Sequence, residues 1–427
     1  MEEGWIELDG AGRLHYVEWT PVEVAHEPAL FLLHGLSSNA RVWERMARLL
    51  PGRRIVAVDQ RSHGLSDRPP SGYSLDDLVA DAARAIRELG LGRPLVAGHS
   101  WGAAVALALA AEQPDLASGL VVVDGATASF GRFMSWDEAA QRMQPPLPVY
   151  GDMDEAVAAQ VEYLGDAWGE DLRDFVRAGL VEAPAGGLAP TLTAKVRLQI
   201  LRELFEFQPE LLFASVDGPI LLAMAGHLWA GAPPEFAERR RRSAGEVQEL
   251  RPDAQVRWYE SLHDVPLIRP ADLAADVERT AIAAGFWALA RETRAMTAQP
   301  GVEWARPAQG DGGGWDAKDV LAHLSSTQAA MARVISAPPP APGDGAPAFD
   351  SARWNAGQLM RRKESTPSEL AEEMRRGAEH AQAALMAVDL DVTTGLGAFA
   401  GLPLRDAMER MLDHQRGHLA ELRAALA

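Results

Sequence analysis

The chain has no cysteine, only three lysines among 41 basic residues, and no apolar run of bilayer length. Without cysteine, disulfides, thiol catalysis and thiolate metal sites are all excluded. A formal net charge of −19 argues against nucleic acid or an anionic membrane surface as partner, since both need a basic face. Met1-Glu2-Glu3-Gly4-Trp5 lacks the basic and apolar regions of a signal peptide, and a spanning helix needs about 18 or more apolar residues. The expectation is a soluble, cytoplasmic protein. The preference for arginine over lysine, with abundant alanine, reads as the mark of a GC-rich bacterial genome.

What is present is ordinary globular composition, 47% hydrophobic and 24% charged. A chain of 427 residues exceeds one hydrophobic core, so two domains are expected. The acidity is uneven: 26 basic and 42 acidic residues precede Phe286, against 15 and 18 from there on.

Leu95-Val96-Ala97-Gly98-His99-Ser100-Trp101-Gly102-Ala103 organises the first part. An apolar strand, a sharp turn at Ser100 and an alanine-rich helix give the G-x-S-x-G spacing of a nucleophile elbow. The turn strains the serine backbone and crowds positions 98 and 102, where a side chain would clash. The helix start places unpaired N–H groups beside any negative charge that develops at Ser100.

Around the elbow, Trp5–Leu8 and Leu14–Trp19 read as an antiparallel pair. Ala29–Leu33, Arg54–Asp59, Leu120–Asp124, Pro219–Ala225 and Val256–Glu260 read as further strands. Ser74 caps a helix over Ser74–Leu89, and this alternation predicts an α/β fold with helices on both faces of a mostly parallel, doubly wound sheet. Asp59, Arg61 and Ser66 are read as knitting the loop Gln60–Asp67 through hydrogen bonds.

His34-Gly35, Asp59–Ser66, Gly98–Gly102 and His263-Asp264-Val265-Pro266 together resemble the α/β-hydrolase fold over about residues 1–285. The resemblance implies a serine nucleophile, a late histidine base and an acid lying between them in the chain. It also implies an oxyanion hole from the backbone N–H groups of Leu36 and Trp101, and a lid over about residues 126–216. Serine at position 100, rather than aspartate, argues against the haloalkane dehalogenase and epoxide hydrolase branches. His263, in the loop after the last strand, is the expected base. The usual acid position after Pro219–Ala225 holds Gly226-His227-Leu228-Trp229-Ala230-Gly231, with no carboxylate before Glu235. Some members of the fold take the acid from the tip of the preceding strand, which the resemblance places at Asp124; Asp124 is the first choice, Glu235 the second, and a site without a strong third member the remaining alternative. His227 is a candidate to line the site, and Arg239–Arg242 reads as a solvated helix face. No cofactor is expected for this domain.

From Phe286 the pattern is helical only, over Phe286–Met296, Asp316–Ile335, Phe349–Arg362, Pro367–Val388 and Leu404–Leu426, with a proline-rich loop over Ala337–Gly345. His414 and His418 share a helix face, and His323 on another helix makes a three-nitrogen metal site conceivable; His380 reads as a surface residue. With Trp315, Trp354-Asn355 and the terminal His414-Gln-Arg-Gly-His418, residues 286–427 resemble the DinB-like four-helix bundles, including the N-terminal domain of mycothiol-dependent maleylpyruvate isomerase. That resemblance implies a divalent metal (zinc, nickel or iron) on His323, His414 and His418, and a low-molecular-weight thiol as partner.

The expected function is hydrolysis of an ester, thioester or related acyl bond in a small, largely apolar substrate. One alternative is a metal- and thiol-dependent transferase or isomerase in the bundle, coupled to the hydrolase. The other is a metal-free bundle serving as a binding or dimerisation module.

Overall fold

The computed structural model describes residues 1–427 except 9, 11, 23–25, 145–146, 229–233, 310–313, 338–348 and 396. Residues 229–231 after the Pro219–Ala225 strand and most of the proline-rich loop therefore lie outside the described residues.

β1 (Glu2–Leu8) and β2 (Gly12–Trp19) form the opening antiparallel pair. β3 (His26–Leu33), α1 (Glu44–Ala47), β4 (Arg53–Val58) and α2 (Leu75–Glu88) follow. α2 begins with a capping box in which Ser74 accepts from the Asp77 backbone and Asp77 returns the bond, satisfying N–H groups the helix itself cannot. β5 (Leu95–His99) then enters α3 (Trp101–Glu112), and β6 (Gly119–Val123) follows. β5 and β6 are buried along their whole length, and α3 is buried all round from Trp101 to Ala110. Such strands need helices on both faces of the sheet, and such a helix cannot tolerate a polar side.

Between β6 and the next strand of this sheet lie α4 (Trp136–Met143), α5 (Met153–Leu164), α6 (Arg173–Ala178), β7 (Leu180–Glu182), β8 (Leu188–Pro190) and α7 (Ala194–Glu206). The resemblance implies a helical lid here, and the β7–β8 hairpin is an addition to it. Its strands are too short to show a period, and the turn signal was Gly186-Gly187, both at positive φ. β9 (Ile220–Ala225), α8 (Pro234–Leu250), β10 (Gln255–Tyr259), α9 (Val265–Ile268) and α10 (Pro270–Thr297) complete this part. The sheet order is β1-β2-β4-β3-β5-β6-β9-β10, with β2 antiparallel to both neighbours and the other pairings parallel. This is the doubly wound sheet expected. β5 sits centrally, so the turn after it opens at the carboxyl edge where α/β sheets carry their ligands.

The chain divides into two compact units, Met1–Val277 and Glu278–Ala427, and the division falls inside α10. In the sequence, Gly285 separates two helical patterns, Asp272–Ala284 and Phe286–Met296. They are one helix. A lone glycine costs a helix only about 1 kcal/mol, and a Cβ at Gly285 would stand 2.7 Å from Leu412, so this glycine serves close packing rather than termination.

The second unit adds α11 (Ala317–Ile335), α12 (Ser351–Arg361), α13 (Pro367–Leu385) and α14 (Leu404–Leu426). Its core includes Phe286, Leu324, Met374, Leu385, Met408 and Leu412. Capping boxes at Asp316/Asp319 and Thr366/Glu369 fix where α11 and α13 begin.

Candidate active site and histidine cluster

Ser100 stands between β5 and α3 with φ 53° and ψ −116°. A non-glycine residue held there costs about 1–3 kcal/mol, which the surroundings must supply. They do so by close approach. A Cβ on Gly98 would lie 2.1 Å from the Gly102 carbonyl oxygen, and one on Gly102 would lie 2.4 Å from that of Leu33. The Ser100 N–H donates to Val123 at 2.9 Å, tying the turn to β6. Trp101 is the first residue of α3, so its N–H has no acceptor within the helix. A Cβ on Gly35 would stand 3.0 Å from the Ser100 Cβ, so the loop carrying Leu36 runs against the serine.

Asp124 and His263, 139 residues apart, are joined by a 2.7 Å hydrogen bond from Nδ1 to Oδ2. Asp124 occupies the left-handed region at φ 46°, and its side chain is only 5% exposed. Its Oδ1 accepts from the Ala225 N–H at 2.9 Å and from the Arg240 guanidinium. On the other side, His99 donates from Nε2 to the His263 carbonyl at 2.9 Å, and the two rings lie 4.7 Å apart. Desolvation by the surrounding protein lowers the His263 pKa although its side chain is 48% exposed; Asp264 opposes the shift and Arg240 adds to it. The imidazole is therefore neutral at neutral pH. With Nδ1–H directed to Asp124, Nε2 is left as the basic nitrogen.

The second-choice acid, Glu235, is exposed on the first turn of α8. His227 pairs with Glu260 at 2.6 Å, both side chains more than half exposed. Asp264 accepts from Tyr163 of α5 at 2.5 Å rather than orienting His263. The loop after β4 is held by Asp59, which accepts from His15, Ala40 and Leu65, and by the Arg61–Asp81 ion pair.

Arg240 was missed. The arginine run reads as a solvated face, and Arg241 and Arg242 are indeed exposed, but Arg240 turns inward with a side chain 15% exposed. Burial pushes its guanidinium down to about 10, so it remains a cation. Nothing in four consecutive arginines marks which one faces a partner 116 residues away.

In the second unit, the side-chain nitrogens of His323, His414 and His418 lie within 4.8 Å of one another. The Nε2 atoms of His323 and His414 are 3.4 Å apart. Two nitrogens each about 2.0–2.1 Å from one tetrahedral ion stand roughly 3.3 Å apart, so the pair fits a shared metal. His418 donates from Nδ1 to Glu421 at 2.9 Å, the outer carboxylate contact that metal-bound imidazoles use. Burial, then the two neighbouring imidazoles, push His323 down to about 3, which leaves it in the neutral form that ligates. Trp315 packs against His323 with ring centroids 5.1 Å apart. A cavity of about 880 Å³ opens over the cluster, walled by Met331, Phe349, Trp354 and Phe399 among others. His380 is exposed.

Two family matches divide the chain, and the second begins within the first unit. Residues 28–165 match the alpha/beta hydrolase fold family, and residues 235–422 match the DinB superfamily. The chain thus carries one region similar to the alpha/beta hydrolase fold family and one similar to the DinB superfamily. It is 32% identical over 181 residues to the 2-(acetamidomethylene)succinate hydrolase of Mesorhizobium japonicum, covering 42% of this chain but only 63% of that enzyme's length. It is 28% identical over 240 residues to the sn-1-specific diacylglycerol lipase of Mus musculus, covering 54% and 72% of the two chains. The crystal structure of E-2-(acetamidomethylene)succinate hydrolase superposes with a TM-score of 0.53 at 24% identity, over 65% of this chain and 98% of that one. A hypothetical protein of Pseudomonas aeruginosa PAO1 gives a TM-score of 0.50 at 26% identity, over 67% and 100%.

Proposed function

We propose that the first unit is a serine hydrolase that cleaves an ester, thioester or related acyl bond of a small, largely apolar substrate. The observation that carries this is the 2.7 Å bond from His263 Nδ1 to Asp124 Oδ2 beside the strained turn at Ser100. Nε2 of His263 takes the Ser100 Oγ proton as Oγ bonds to the acyl carbon, and the N–H groups of Leu36 and Trp101 stabilise the oxyanion. The imidazolium returns the proton to the leaving group, giving an acyl-enzyme. Water then attacks with His263 again as base, releasing the acid and restoring Ser100. A fluorophosphonate probe should label wild-type protein at Ser100, and Ser100→Ala should lose both labelling and p-nitrophenyl ester turnover, by roughly 10⁴-fold or more. Undiminished turnover in that variant overturns the reading.

A second reading concerns the bundle, favoured by the 3.4 Å approach of His323 and His414. His323, His414 and His418 would hold a divalent metal, with Glu421 orienting His418. Bound there, such an ion supplies Lewis acidity and lowers the pKa of a coordinated thiol or water. The cavity above would receive the apolar part of a small molecule, and a low-molecular-weight thiol is the proposed partner. Elemental analysis of the purified protein tests this: about one ion per chain is expected, and none under metal-replete purification leaves the bundle a metal-free module.

A further inference from the structure

The Asp124 carboxylate has two oxygens and two different side-chain partners. Oδ2 accepts from His263, while Oδ1 accepts from Arg240 and from the Ala225 N–H. The nucleophile, base and acid do not need the guanidinium to complete their set. A buried ion pair is costly to build, and a cation on the acid competes with the imidazolium for the same negative charge. Its presence calls for a role.

We propose that Arg240 is a positioning residue of the serine site: it anchors Asp124 through Oδ1, leaves Oδ2 to His263, and brings a fixed positive charge up to the imidazole. The proposal rests on the serine-hydrolase reading for its consequence in catalysis, and on the geometry alone for its effect on His263.

The charged and titratable groups around His263 come from several elements. Asp124 lies at the tip of β6 and Arg240 on α8. His99, at the end of β5, stacks 4.7 Å from the ring and is itself held neutral by burial. Asp264 is the chain neighbour, with its carboxylate engaged by Tyr163 of α5. His227 and Glu260 pair in solvent nearby in the chain. Of these, Arg240 is the one cation bonded to the acid that His263 uses. It neutralises part of the charge that would otherwise stabilise the imidazolium, so the base stays free of protons into mildly acid solution.

The test is a titration of His263 in the full chain, by NMR of protein carrying ¹³C-labelled histidine, with the resonance assigned through His263→Gln. In Arg240→Gln the His263 pKa should rise by about one unit, a tenfold change in proton affinity. The acid limb of kcat/KM for the p-nitrophenyl ester should move up in step. Arg240→Lys keeps the charge but not the planar fork, so it should hold the titration near wild type while lowering kcat. An unmoved His263 titration in Arg240→Gln, with loss of thermal stability alone, overturns the proposal and leaves a structural ion pair. Should the Gln variant not fold, an Arg240→Lys variant with unaltered kcat and pH profile overturns it equally. Failure of Ser100 to label in wild type removes the hydrolase reading but not the titration comparison, so the two failures are distinguishable.

Discussion

The serine site and the histidine cluster are assembled in opposite ways. Ser100 is oriented by its backbone: a left-handed φ, two glycines too crowded for a Cβ, and contacts to β3 and β6. The groups proposed to act with it come from residues 36, 124, 240 and 263, each on a different element. The cluster uses two unstrained helices, with His414 and His418 set one turn apart by regular spacing and His323 supplied by α11. The geometry at Ser100 is thus fixed by strain and long-range closure, whereas that of the three histidines is fixed by helix periodicity.

This contrast can be broken most sharply at the cluster. His414→Ala with His418→Ala removes two of the three proposed ligands, so metal content should fall from about one ion per chain to near zero, measured by elemental analysis. Fluorophosphonate labelling of Ser100 should persist. Coordinated loss of both would show that the two sites do not stand on separate supports. A milder change sharpens the same point: Glu421→Gln keeps every ligand but weakens the hold on His418 Nδ1, and metal affinity by chelator competition should drop roughly 10–100-fold. An unchanged affinity would mean that Glu421 is only a surface partner of α14.

The smallest and most distributed effect is on pH. His63 and His99 are buried, and desolvation is the largest cause pushing them to about 3 and about 4; His34 is lowered by the same cause. Their unfolded pKa is near 6.5, so below that value the unfolded chain binds more protons than the folded one. Stability is complete above about pH 6.5 and falls as pH drops toward the folded values. His99 alone accounts for on the order of 3 kcal/mol by pH 4. The Tm of the first unit's transition should fall steadily from pH 7 to pH 4. A flat profile would mean that these imidazoles reach solvent or an unseen partner when protonated.

What could be read in the sequence was local. The elbow is five consecutive residues, the His414/His418 pair is one helical turn, and the strands around Leu30, Val56 and Val121 announce themselves by continuous apolar runs. Asp124 as candidate acid rests on the family resemblance, in which some members take the acid from the preceding strand tip, and not on any local signal of its own. Arg240 was invisible because helix spacing does not say which of four arginines meets a carboxylate on another strand. The β7–β8 hairpin escaped because three-residue strands have no measurable period, and the continuity of α10 escaped because a packing glycine looks like a terminating one.

The strained turn at Ser100 also bears on when the protein becomes reactive. Its φ and ψ are held only while α3, β3 and β6 are all in place, and α3 is an apolar rod with no solvated face of its own. In a nascent or unfolded chain the serine relaxes to an ordinary alcohol among many. On the proposed serine-hydrolase reading, chemical competence is therefore a late product of folding, and acyl compounds in the surrounding solution meet no armed nucleophile until these elements have closed around the turn.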